Sequence, residues 1–217
     1  MSLPSNPSPR PLVPVAFSDL MESLAGDEMV SILLNDAGTV LKIQRTLLLN
    51  LSPWFNKALT SGFIEGQSLT LRFPGVPSNV VQTFVYWIFH GRIPENEDDP
   101  EGEKLEGHQE LQALLARLWM FCEEHLLPEL QHAAMRALSE QLSKAYPAVE
   151  LLLEVYEGTA PESPLRKVMA AEAASGWRYR RLLGNTLGYS REDLDRLGAI
   201  AGFTADFATA LEIEVAE

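Results

Sequence analysis

The hydrophobic pattern of this chain predicts an α+β fold, and two observations carry the prediction. Apolar side chains alternate with period two over residues 30–44 and again over 69–73, as half-buried strands require. Elsewhere they recur at i, i+3, i+4 and i+7, the stripe of an amphipathic helix. The strand-like stretches are short and few, so they can form only a small sheet set among helices.

In chain order, residues 1–16 carry Pro4, Pro7, Pro9, Pro11 and Pro14 among small polar residues. Proline fixes φ and removes a donor, which predicts an extended, disordered lead-in. Phe17, Leu20, Met21 and Leu24 then mark one face of a short helix, ended by Ala25-Gly26-Asp27. Val30, Ile32 and Leu34 alternate with Ser31, Leu33 and Asn35, and the turn composition of residues 36–39 leads to a return strand over Val40–Gln44. Two short helices follow. The first carries Leu47, Leu48 and Leu51. The second opens on Ser52-Pro53, an N-cap and an N1 proline, and carries Trp54, Phe55, Ala58 and Leu59 to a stop at Gly62.

Leu69, Leu71 and Phe73 alternate with Thr70 and Arg72 in a third strand. Ser78 is placed as the N-cap of a helix with Val80, Val81, Phe84, Val85, Trp87 and Ile88 on its apolar side and Gly91 as its C-cap. Residues 95–106 hold Glu95, Glu97, Asp98, Asp99, Glu101, Glu103 and Glu106 against Lys104 alone, the composition of a solvated loop. An amphipathic helix follows with Leu111, Leu114, Leu115, Leu118, Phe121 and Cys122, and Pro128 starts another that buries Leu130, Ala134, Leu138 and Leu142. Helices continue through Val149, Leu152, Leu153 and Tyr156, then Leu165, Val168 and Met169. Ser190 with Asp193 reads as a capping box before Leu194 and Leu197, and the acidic end from Glu212 to Glu217 is expected to fray.

Composition narrows the function classes. A chain of 217 residues that is 46% hydrophobic can fill a real core. No apolar run is long enough to cross a bilayer before a charge interrupts it, and the N-terminus lacks the layout of a secretory signal. The single cysteine, Cys122, cannot form an internal disulfide, which favours a reducing compartment, cytoplasm or nucleus. A net charge of −13 argues against a nucleic-acid partner, and the Arg178, Arg180 and Arg181 cluster is soon answered by Glu192, Asp193 and Asp195.

No catalytic constellation emerges. Of the four histidines, His90, His108, His125 and His132, only His125 lies near the cysteine, and Cys122-x-x-His125 lacks two further ligands for a structural zinc site. A core cysteine and a helix-end histidine are the expected roles. Glycines 184 and 188, and 198 and 202, lack the lysine of a phosphate loop. No cofactor or metal is expected, and the chain reads as a non-enzyme.

Four segments carry a family resemblance. Val40–Leu48 with Leu51-Ser52-Pro53-Trp54-Phe55 resembles the second strand and "Ser-x-Phe-Phe" helix of BTB/POZ domains. Gly62-Phe63-Ile64-Glu65 before Leu69-Thr70-Leu71 is similar to their "Gly-Phe-x-Glu" loop and third strand. Phe84-Val85-Tyr86-Trp87-Ile88-Phe89-His90-Gly91 resembles the end of the helix that follows, and Leu118–Glu123 with Leu127-Pro128-Glu129-Leu130 the later helix junction. The four occur in family order over residues 28–142. Tyr156–Thr159 and Ser163–Lys167 also match a tail common among BTB proteins of the type found in fungi.

The resemblance implies a BTB/POZ fold over residues 17–143, a small sheet of about three strands flanked by helical hairpins, and a helical C-terminal extension over 144–217. It implies a protein–protein interaction module that forms a homodimer through Phe17, Leu20, Met21 and Leu24. It also makes Phe63, Ile64 and Glu65 a candidate docking element for a cullin scaffold, and the chain a candidate substrate adaptor of a ubiquitin ligase. A purely structural self-assembly protein is the alternative. Two positions depart from the family: Met29 stands where many members have Asp, and Gln44 where they have His. Both belong to a charged pocket in transcriptional members, so corepressor recruitment there is not carried over.

Overall fold

The computed structural model describes residues 25–34, 38–94, 107–183 and 189–213, except the side chains of 179–183 and 213. The proline-rich lead-in, the 17–24 helix, the 95–106 acidic segment, the 184–188 glycine pair and the last four residues lie outside them. Among the described residues the chain is mixed α+β, with ten helices and a sheet of three strands. It divides into two compact units, the first ending at Ile93 and the second starting at Pro94. That division lies inside the 17–143 span that the resemblance implies, so each unit is taken by itself.

The first unit is built on the sheet. β1 (Met29–Leu33) pairs antiparallel with β2 (Val40–Gln44), Ile32 opposite Leu41 and Val30 opposite Ile43. β3 (Thr70–Arg72) pairs with β1 in parallel, Ile32 beside Leu71, which puts β1 in the centre. Side chains alternate across a strand, so Val30, Ile32, Ile43 and Leu71 share the inner face, and each is at most 1% exposed. The parallel pairing needs a crossover, which three helices supply. These are α1 (Arg45–Leu51), α2 (Pro53–Thr60) and α3 (Ile64–Ser68), and α4 (Ser78–His90) follows β3.

Caps set the helix boundaries. Ser52 Oγ accepts the Phe55 amide at 3.3 Å and Pro53 occupies N1 of α2, as expected. Gly91 closes α4 at φ 67°, its amide donating to the Trp87 carbonyl. Two boundaries differ from the sequence expectation. Pro77, and not Ser78, is the N-cap of α4, with no side-chain bond. α2 stops at Thr60, two residues before Gly62, and the next helix begins at once. Gln44, the N-cap of α1, makes no side-chain capping bond, and Asp27 Oδ2 takes the Thr46 amide at 2.9 Å in its place.

The core of this unit is aromatic. Phe55 stacks on Phe84 at 5.5 Å between centroids and meets Trp54 and Phe73 edge-on at 5.0 and 6.5 Å. These contacts bind α2 to α4 and to the chain leaving β3.

The second unit is helical throughout its described residues. α5 (His108–Glu124) and α6 (Pro128–Leu142) form a hairpin, burying Leu114, Leu115, Leu118, Phe121 and Cys122 with Leu130, Ala134, Leu138 and Leu142, as the spacing predicts. α7 (Val149–Gly158), α8 (Pro164–Leu183), α9 (Arg191–Gly198) and α10 (Phe203–Ile213) follow. The Ser190–Asp193 capping box at the start of α9 is present in both directions. α10 runs to Ile213, so Glu212 and Ile213 belong to a helix and not to a frayed end. None of the described helices is long and apolar enough to cross a membrane.

Candidate functional site

Among large hydrophobic side chains of the first unit, Ile64 is 75% exposed, and Phe63 and Phe89 are 55% exposed each. The sequence leaves Phe63 free to fold back on the core from a loop. The structure places it instead as the N-cap of α3, with Ile64 the first helical residue and Glu65 half-buried in the first turn. A helix of five residues has little stability of its own, so its neighbours must hold it.

They do so mainly through backbone. The Gln67 amide donates to the Phe63 carbonyl at 3.2 Å, and its side-chain Nε2 to the Gly62 carbonyl at 2.9 Å. Ser68 Oγ donates to the Ile64 carbonyl at 2.7 Å. Leu69 closes the turn in the left-handed region at φ 47°, and its carbonyl accepts the Ser31 amide of β1 at 2.8 Å. Leucine is disfavoured there, so the tie to β1 has to hold this backbone in place. The strand therefore begins at Thr70 and not at Leu69.

Gly66 is the other support. A Cβ on it would lie 2.7 Å from the Ser61 carbonyl oxygen, 3.2 Å from that of Leu59 and 3.3 Å from that of Ala58. The missing side chain lets α3 rest directly on the carbonyl end of α2. Arg45 secures the same end, its Nη2 donating to the Leu59 carbonyl at 2.8 Å while Nη1 pairs with Glu28 at 2.8 Å. The outcome is a braced platform on which Phe63 and Ile64 stay exposed. Gly66 escaped the sequence reading, which places Leu69 in a strand, though a glycine inside a short helical stretch is the kind of signal that marks close backbone approach.

The remaining candidates fall elsewhere. Phe17, Leu20, Met21 and Leu24, the candidate dimer interface, lie outside the described residues. Met29 is 44% exposed on the outer sheet face, where Val40 is 45% exposed and Leu33, its partner across the ladder, is half-buried. A groove of about 460 Å³ over α1 and α2 is lined by Leu49–Pro53, Asn56 and Lys57. Lys57 is its one ionisable lining group, so the groove brings no acid–base pair together.

Cys122 and His125 take the roles expected of them. Cys122 is fully buried, and burial pushes its thiol well above the usual range, which makes it unreactive. His125 caps α5, stacks on Phe121 at 4.1 Å and donates from Nδ1 to the Phe121 carbonyl at 2.7 Å. Burial lowers its pKa, outweighing that hydrogen bond and nearby Glu124. Among the described residues no group of three or more His, Cys, Asp or Glu side chains is arranged to hold a metal ion.

In the second unit, the tail matched by the resemblance surrounds a buried arginine. Arg166, 7% exposed, donates to the carbonyls of Tyr156 (2.6 Å) and Thr159 and to Thr159 Oγ1 (3.0 Å), and lies 4.8 Å over the Tyr156 ring. Tyr156 in turn donates to Asp206 at 2.8 Å, and burial with that carboxylate raises its phenol pKa far above normal. This network closes the carbonyl end of α7 and links it to α8 and α10. Its chemistry is structural.

No protein-family model matches the chain, and no match was found among the curated proteins.

Proposed function

We propose that this chain is a BTB/POZ protein that homodimerises and acts as an adaptor, docking a cullin scaffold through Phe63, Ile64 and Glu65. The observation that carries the reading is the exposure of Phe63 and Ile64 on a platform braced by Gly66, Leu69 and Arg45. Interface energy concentrates in a few well-placed apolar anchors, and a preformed anchor costs less conformational entropy on binding. Glu65 at the edge of the platform suits a carboxylate that fixes register and not one that drives affinity. The order of elements also supports the family reading: hairpin, three short helices, third strand, helix, then a helical hairpin.

Calorimetry of the purified chain against the N-terminal domain of the BTB-partner cullin tests the docking. Binding by the wild type that weakens at least about tenfold in a Phe63→Ala/Glu65→Ala variant is the expected result. A wild type that does not bind ends the adaptor reading. Light scattering tests the dimer, with an expected mass about twice the 24.1 kDa of one chain.

Self-assembly without a ubiquitin role is the second reading, favoured by Met29, Leu33 and Val40 on the outer face of the sheet. It predicts association that survives loss of the Phe63 platform.

A further inference from the structure

The register that buries Val30, Ile32, Ile43 and Leu71 turns the residues between them to the opposite face of the sheet. Rows of neighbours cross that face. Leu33 lies between Val40 and Arg72, Ser31 between Lys42 and Thr70, and Met29 beside Gln44. Met29, Val40, Lys42 and Arg72 are exposed and the others half-buried.

The chain carries a net charge of −13, yet these outward positions hold two cations, Lys42 and Arg72, and no acid. Among the described residues neither side chain has an ion-pair or hydrogen-bond partner. The acids that flank the strands are placed elsewhere. Asp27 accepts the Thr46 amide, Glu28 pairs with Arg45, and Glu65 sits half-buried in the first turn of α3, while Asp36 lies outside the described residues. We propose that this face docks an acidic amphipathic helix of a partner protein, with carboxylates on Lys42 and Arg72 and apolar side chains on Leu33 and Val40.

The spacing suits a helix. Strands lie about 4.8 Å apart and rise about 3.3 Å per residue, which puts the Lys42 and Arg72 Cα atoms about 12 Å apart on a diagonal across β1. Glutamates at i and i+7 of a helix span about 10.5 Å on one face, with i+3 and i+4 between them. A helix laid along the diagonal sets leucines at i+3 and i+4 over β1, against Leu33 and beside Val40. A second copy fits this face less well. Two such sheets face to face would bring the cations of both together with no acid between them, a like-charge juxtaposition that opposes pairing. The proposal goes beyond the adaptor reading and does not rest on it.

The probe is a fluorescent, alanine-based helical peptide of about 18 residues with Glu at i and i+7 and Leu at i+3 and i+4. It is titrated into the full chain and read by anisotropy. A protein of net charge −13 repels this peptide as a whole, so any binding comes from a local site. The wild type is expected to bind, and Lys42→Glu/Arg72→Glu to bind at least about tenfold more weakly. Replacing both peptide leucines by alanine should cost as much, and Val40→Thr, which keeps the β-branch, at least about threefold. Raising salt from about 0.05 to about 0.5 M should weaken the wild type at least about threefold. The substituted side chains are exposed, so the variants should melt with the wild type, which circular dichroism checks. A wild type that does not bind the peptide overturns the proposal, as does binding that survives the charge reversal. Self-association that Val40→Thr abolishes in light scattering without peptide gives the face to a second copy and overturns it too. Cullin binding is no part of these readouts, so failure here leaves the adaptor reading standing.

Discussion

Replacing Gly66 by alanine sets two physical effects of opposite sign against each other. By helix propensity alone, alanine inside α3 is favoured over glycine by about 1 kcal/mol. The structure opposes this with a new Cβ placed 2.7 Å from the Ser61 carbonyl oxygen and 3.2 and 3.3 Å from those of Leu59 and Ala58. Carbon–oxygen approaches of this kind normally settle at about 3.3–3.6 Å, so α3 must withdraw from α2 by more than half an ångström. The atoms in the way are backbone, and the Leu59 carbonyl is also held by Arg45, so neither side yields easily. Overpacking typically costs about 1–3 kcal/mol, while a five-residue helix realises only part of the propensity gain. A net loss of about 1–2 kcal/mol is expected, read as a lower urea midpoint by circular dichroism. Under the proposed adaptor role, displacement of Phe63 and Ile64 should weaken cullin binding in parallel. An unchanged or raised midpoint would refute the close approach on which the platform argument depends.

Three further outcomes follow from the second unit. Arg166→Ala removes the donors to Tyr156 and Thr159 and strands their buried acceptors, at about 1–3 kcal/mol each, so a loss of about 3 kcal/mol or more is expected in urea; Lys167→Ala, on the exposed side of the same helix, should leave the midpoint unchanged. Leu126 sits half-exposed at φ 56° in the turn between α5 and α6, where glycine is the preferred residue; Leu126→Gly should raise the melting temperature, by up to about 1 kcal/mol of stability, and a fall would mean that the side chain packs more than its exposure suggests. Burial depresses the pKa of His125, so the folded state binds fewer protons than the unfolded one. Its contribution is therefore present above the unfolded pKa of about 6.5 and lost as pH falls below it through the folded value. Thermal melts from pH 7 to pH 5 should show that loss, and His125→Gln should show less of it.

Much of the secondary structure was legible without coordinates, because its signals act over a few residues. Ser52 reaches the Phe55 amide three residues on, Gly91 supplies its own positive φ, and Ser190 and Asp193 cap each other across one turn. The apolar stripe of α6 was legible for the same reason: helical spacing lines up Leu130, Ala134, Leu138 and Leu142 whatever they pack against. The three residues of the docking candidate could be named from their motif. Their exposure could not, since a phenylalanine after a helix end can turn inward or outward with the same local sequence.

What remained hidden depended on residues far apart in the chain. Asp27 caps α1 across 19 residues, and the Leu69 carbonyl meets Ser31 only once β3 lies alongside β1. Gln112 interrupts an apolar stripe and reads as a surface residue, yet it is fully buried with Nε2 donating to the carbonyls of Gln141 and Ala145 at 3.2 and 2.6 Å. Arg166 likewise reads as a solvated charge until the end of α7 surrounds it. The sequence by itself determined the strands and most of the longer helices, because periodicity and capping are local, but it reads the five residues of α3 as a loop. Only the tertiary structure decided which polar groups go inside, where β3 pairs and which apolar side chains stay out, because each depends on partners brought together by the fold.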